Sequence, residues 1–393
     1  MRRIILATFL TFAISFAQGA TQKVLYTFSG GLDGGQPYAG LITDQSGNFY
    51  GVTEAGGAYG KGTVFELSHS ESGWTETVLY SFTGGADGAL PLGGLTTDGN
   101  GNLFGTASLG GSNCGTLFAL PMPGTSGSFT VLHTFEGTSW RDGCTPAADL
   151  YLGAYDTLYG TTYAGFGLAT YGSRFAYYLD TGKYQAYQFS KAAGGKVLGG
   201  LNGWMTGAVF SGGKDGEGIV YDGFSKAKTL YSFDKQATKM GDYPEGELLP
   251  AIVDGVDTLY GTTSAGGANG NGTVYALSEI FSKGKWKWVI SLLYSFSGPD
   301  GESPTAGPVA DAAGNLYGTT ISGGNAPRSA GTVFELTPGP QNTWTLTTLY
   351  NFTGEFDGGN PASSLIFDSA GDLYGTTLYG GNYGQGVVYE IIP

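Results

Sequence analysis

Along this chain the apolar residues come in runs of five to seven, each bounded by Gly, Asn, Asp or Pro. The runs are rich in β-branched and aromatic side chains and too short for helices, so they predict strands. Several carry apolar residues on both alternating faces, as Val24, Leu25, Tyr26 and Phe28 do. Strands of that kind belong to sheets covered on both sides. Four strand types recur in fixed order. The tightest is a Leu-Tyr-Gly-Thr-Thr run, intact at 158–162, 259–263, 316–320 and 373–377 and degraded at 49–53, 103–107 and 205–209. A second type reads Gly-Thr-Val-Phe-Glu-Leu (62–67) and a third Val-Leu-Tyr-Ser-Phe (78–82), while the fourth precedes each Leu-Tyr-Gly-Thr-Thr run, as at 39–44.

The leading residues of the first type, at 49, 103, 158, 205, 259, 316 and 373, mark seven units 47 to 57 positions apart. Stacked units of four short antiparallel strands describe propeller blades. The chain opens on a lone copy of the third type at 24–28 and closes on the second type at 386–391. Pairing the first strand into the last unit leaves no strand over, whereas an open stack would need polar caps. The predicted fold is therefore all-β, a seven-bladed β-propeller of four-stranded blades whose ring is closed by the N-terminal strand. Residues 163–250 depart furthest from the repeat.

Composition supports a packed fold. Glycine accounts for 72 of 393 residues, which by itself suggests low complexity, but 26 Tyr, 23 Phe and 6 Trp are apolar surface to bury. The chain starts with Arg2 and Arg3, then an apolar run from Ile4 to Ala17, then polar residues. This reads as a signal peptide over 1–17, with a single domain over 18–393, and implies a secreted, extracellular or periplasmic protein. No later run is apolar for 18 residues, so direct membrane insertion is not expected, and a monomer is. Removing the first 20 residues takes two of 18 basic residues and none of 32 acidic ones, so the net charge moves from −14 to −16. That balance argues against nucleic acid and anionic membranes as partners.

The Leu-Tyr-Gly-Thr-Thr and Gly-Thr-Val-Phe-Glu-Leu runs, the stretch 74–82 and a recurring Asp-Gly-x-x-Pro together resemble the GloVer-type tandem repeats of secreted bacterial proteins. The resemblance covers nearly all of 18–393. It implies an exported, often surface-associated protein and supplies no catalytic residues.

Candidate chemistry gathers in the loops. Asp-Gly-x-x-Pro occurs at Asp33, Asp87, Asp142, Asp300 and Asp357, and its loops and the Gly-rich loops are expected to share one face. In one reading Asp-Gly makes a turn and Pro stiffens the start of the next inner strand. In the other, a partial ring of carboxylates works with loop aromatics, Tyr59, Trp140, Phe356 and Tyr383, joined by Phe166, Tyr171 and Tyr379, to bind saccharide hydroxyls or cations. A residue repeated from blade to blade is more often architecture than site, so the turn reading is preferred. On the opposite face Asp98-Gly-Asn100-Gly-Asn102 and its relatives at 44–48, 311–315 and 368–372 suggest calcium loops, but no bidentate Glu follows. A hairpin turn explains them more simply, and no metal or cofactor is expected.

Cys114 and Cys144 fall in two loops expected to lie close together, which favours a disulfide in an exported protein. The only histidines are His69, placed in a turn, and His133, placed on a blade strand, so a Ser-His-Asp triad has almost nothing to draw on. The functional expectation is a binding or adhesion propeller recognising saccharide or a cell-surface partner through one loop face. The alternative is a glycoside hydrolase or lyase using loop carboxylates, which needs two acids and no histidine.

Overall fold

The computed structural model describes residues 20–137, 142–165, 171–190, 195–234 and 239–393. The signal-peptide segment 1–17 lies outside the described residues. Among the described residues, seven antiparallel sheets form the blades of a β-propeller. The first blade orders its strands outward from the axis as Ile42–Thr43, Phe49–Thr53, Thr63–Ser70 and Gly73–Ser81. The seventh consists of Ile366–Phe367, Leu373–Thr377 and Val387–Ile392, and its outermost strand is the N-terminal Thr21–Thr27. That pairing runs antiparallel from Thr21 opposite Ile392 to Thr27 opposite Val387, so the ring closes as the repeat register predicts.

The motifs repeat because one packing solution repeats. The last Phe of each outer strand packs edge-to-face against an aromatic ring of the next blade: Phe28 on Phe65, Phe82 on Phe118, Phe135 on Phe175, Phe189 on Tyr221, Phe233 on Tyr275, Phe296 on Phe334 and Phe352 on Tyr389. Each such contact adds about 0.5–1.5 kcal/mol beyond area burial. The receiving ring lies over the Gly of its own blade's Leu-Tyr-Gly-Thr-Thr strand. A Cβ on Gly160 would come within 2.4 Å of Phe175, and one on Gly105 within 2.5 Å of Phe118. At Tyr221, Tyr275 and Tyr389 the hydroxyl is buried without a protein partner, so the Phe used by the other four blades is the easier fit.

The threonines tie blades together. Thr161, Thr262, Thr319 and Thr376 donate their hydroxyls to carbonyls of the following blade's inner segment, Gly199, Ala306, Ser363 and Ala39, at 2.9–3.1 Å. Blade four, inside the divergent stretch, departs from the four-strand pattern. Its three laddered strands are Thr206–Val209, Ile219–Asp222 and Lys228–Ser232. Its innermost segment is held instead by Asn202, whose side-chain oxygen accepts from Trp204 N, Thr206 N and Thr206 Oγ1.

Cys114 and Cys144 are disulfide-bonded, with Cα atoms 4.4 Å apart and both side chains buried. The bond closes a loop of 30 residues between blades two and three. Replacing both cysteines with alanine is expected to cost roughly 3–4 kcal/mol from the unfolded chain's regained entropy. Denaturant unfolding of the double variant measures this, and an unchanged midpoint would contradict it.

Candidate functional site

The Asp-Gly-x-x-Pro and Gly-rich loops share one face and are bridged to each other, as Gly35 to Ala55, Ala89 to Leu109 and Gly359 to Tyr379. The residue before each Pro is left-handed although it is not glycine: Gln36, Leu90, Thr145, Tyr243, Ser303 and Asn360 all have φ between 52° and 61°. Such a conformation persists only where surroundings enforce it. Here the N–H of that residue donates to the preceding blade's Gly-rich loop, as Gln36 N to Gln385 O (2.7 Å) and Asn360 N to Ala330 O (2.7 Å). The Pro then packs on a Gly of that blade, where a Cβ on Gly62 would meet Pro91 at 2.6 Å. Tyr243 and Pro244 keep this geometry although the Asp-Gly pair is gone there, so a sixth copy lies within the divergent stretch.

The loop aspartates are engaged by their own loops. Asp33 accepts from Ser29 N (2.8 Å), Ser29 Oγ and Tyr26 OH (3.1 Å). Asp87 and Asp357 repeat the pattern with Thr83 and Tyr80, and with Thr353 and Tyr350. Asp300 accepts from Tyr294 OH and Ser297 N. Asp142 accepts from Glu136 N and its own loop's Gly143 N, and pairs with His133 at 3.3 Å. Burial works against the charge of Asp87, but bonds from Thr83 and Tyr80 outweigh it, so its carboxyl sits below the ordinary value. His133 stacks on Tyr184 as a blade residue, whereas His69 lies on a strand beside Trp74 rather than in a turn. On the opposite face Asp44 accepts from Ser46 N, Asn48 N, the Asn48 amide and Tyr50 OH. Asp311 does the same in blade six.

The aromatics are unevenly distributed. Phe356 is 71% exposed, Tyr383 63%, Tyr59 60% and Tyr379 49%, all on the loop face of blades seven and one, where Leu32 is exposed as well. A groove there is walled by Phe356 and Tyr379, floored by Gly380, Gly381 and Gly384, and flanked by an exposed Arg328–Glu355 ion pair at 3.2 Å. Tyr171, on the far side, is only partly exposed, and Trp140 and Phe166 lie outside the described residues.

A second concentration of chemistry lies at the mouth of the central channel, where the inner segments begin just after each Pro. A cavity of about 100 Å³ opens there, lined among others by Tyr38, Asp149, Glu245, Glu247, Thr305 and Ser363. Asp149 accepts from Gly94 N at 2.5 Å and Glu245 from Ser264 Oγ. Burial raises Asp149 and Glu245 above the ordinary carboxyl range. Burial and then the charge of Asp149 push Glu247 up to about 8. Sequence reasoning missed these acids because it followed what recurs. Aligned on their prolines, the units place Gly40, Gly94, Gly307 and Ser364 where Asp149 and Glu247 stand, so a departure from the small-residue pattern was the available signal.

Among solved structures the chain is similar to a hypothetical selenium-binding protein from Sulfolobus tokodaii, at 11% identity over 87% of this chain and 82% of that chain, with a TM-score of 0.51. It is also similar to the calcium structure of a Trichoderma reesei carbohydrate-active enzyme of family AA12, at 9% identity over 96% of both chains and a TM-score of 0.45. A third is the Penicillium chrysogenum α-L-arabinanase complexed with arabinobiose, at 10% identity over 91% and 93% and a TM-score of 0.43. At these identities the likeness concerns fold alone. No curated protein matches the chain. The Gloeobacter/Verrucomicrobia repeat family matches residues 10–175 and 280–393, most of the chain, and the chain belongs to that family.

Proposed function

We propose that the protein is a secreted binding module that recognises saccharide through the loop face of blades seven and one. The observation that carries this reading is the sector of exposed Phe356, Tyr379, Tyr383 and Tyr59 on loops whose backbone is fixed by neighbouring blades. Aromatic faces stack on sugar C–H surfaces, and a ring presented on a rigid loop loses little freedom on binding. The Arg328–Glu355 pair beside the groove offers a donor and an acceptor to hydroxyls. Export is supported by the basic start with its apolar run over 4–17 and by the disulfide, a bond of oxidising compartments. Polysaccharide cleavage would have to draw its acids from elsewhere than the loop aspartates, which are engaged within their own loops.

A glycan array probed with residues 18–393, with calcium and again with chelator, tests the proposal. Saturable binding to one saccharide class, insensitive to chelator, is expected. A blank array under both conditions would overturn it and leave a protein ligand in front.

A further inference from the structure

We infer that the channel mouth binds a primary alkylammonium group, held between the carboxylates of Asp149 and Glu247 and seated against Tyr38, Leu92 and Leu198. The cavity lining includes Asp149, Glu245 and Glu247 and no Lys, Arg or His. Glu247 is half-buried, lies in the cavity lining and accepts no hydrogen bond from any described residue. Thr305 Oγ1, also in the lining, is buried without a partner. Even partial burial of an unpaired carboxylate is costly, so a cation is the partner these acids would favour.

The acids are also specific to one sector. They replace glycine or serine in only two of the six aligned Pro-led units, which separates them from the repeat's architecture. The walls fit an alkyl stem, since Leu92 and Leu198 offer apolar surface and the Tyr38 ring attracts a cation to its face. A metal ion fits less well. Among the described residues no three Asp, Glu, His or Cys side chains come together to hold one, and hard cations want six to eight oxygens. The ammonium could be that of a free amine or of a lysine side chain on a partner protein; the chemistry is shared.

Protonation gives the site a signature. Glu247 titrates at about 8 with Asp149 and Glu245 facing it, both raised by burial, and Tyr38 beside them raised by burial and then by Glu245. At pH 7 it holds a proton that the ammonium must displace, and at pH 9 it does not, whereas an alkylamine remains charged to about pH 10. Binding should tighten by about tenfold from pH 7 to pH 9 and release a proton at pH 7.

Calorimetric titration of residues 18–393 with n-butylammonium chloride, and separately with a peptide carrying one lysine, tests the inference. One-to-one binding is expected, weakened at least tenfold (~1.4 kcal/mol) by Glu247→Gln and unaffected by Asp44→Asn on the opposite face. Thermal melts check that both variants are folded. Binding of both probes would point to free amines, and binding of the peptide alone to a partner's lysine; either supports the site. No binding of either at pH 9, or equal affinity in Glu247→Gln, would overturn it. So would calcium chloride binding in a Glu247-dependent way while both amines fail.

Discussion

Deleting residues 20–28 is expected to open the ring and cost roughly 5 kcal/mol or more, with a lower, broader melting transition and concentration-dependent association. The deleted strand carries Leu25 and Tyr26 into the seam between the last and first blades, Val24 into the seam between the sixth and seventh, and Phe28, fully buried, against Phe65. Burying each large apolar side chain contributes about 1.5–3 kcal/mol. Without the strand, the backbone of Val387–Ile392 is left as an unpaired edge, a template for pairing with other chains. Calorimetry and size-exclusion chromatography report both effects. Because the truncated chain could fail to fold at all, a synthetic peptide of residues 20–30 supplied in trans is the second arm. It should restore the cooperative transition, and a truncated chain that melts like the intact one would refute closure as a source of stability.

Gly307→Ala is expected to destabilise by about 3 kcal/mol, near the top of the range for overpacking. A Cβ there would stand 2.0 Å from the Glu247 carbonyl oxygen and 2.9 Å from its carbon. These are backbone atoms of the preceding blade's inner segment, so no rotamer change can relieve the contact. Gly307 is not left-handed, which makes close approach rather than conformational freedom the reason for glycine. Gly47→Ala is the comparison: its φ is +80° with nothing within 4 Å, so only left-handed strain of roughly 1–2 kcal/mol remains. Denaturant unfolding of the two variants separates the effects, and equal losses would contradict the close-packed channel. Moving the Glu247 backbone should also weaken ammonium binding in the first variant alone.

The propeller was legible in the sequence because each blade solves the same packing problem with the same residues. Phe28 at one end and Tyr389 at the other fall into register only if the ring closes. The disulfide was legible for the same reason, since Cys114 and Cys144 sit in loops that the repeat places together. Repetition also set the limits of that reading. The aspartates of the Asp-Gly-x-x-Pro loops stood out by recurring, and the structure places them on Ser29, Thr83, Thr353 and the tyrosines of their own strands. Asp149 and Glu247 did not recur and passed unnoticed, although they put carboxylates where the aligned units carry glycine or serine. In blade four, whose described residues form a three-stranded ladder, Asn202 accepts from Trp204 N and Thr206 N as Asp44 and Asp311 do in their own hairpins, a role that composition does not announce.

The most direct test of saccharide recognition by one sector is a glycan array run side by side on the intact protein and on a Phe356→Ala, Tyr379→Ala, Tyr383→Ala variant. These side chains are exposed, so the melting temperature should barely change. The expected result is loss of at least tenfold in signal across the saccharide class that the intact protein binds. An undiminished signal from the variant would contradict recognition by blades seven and one.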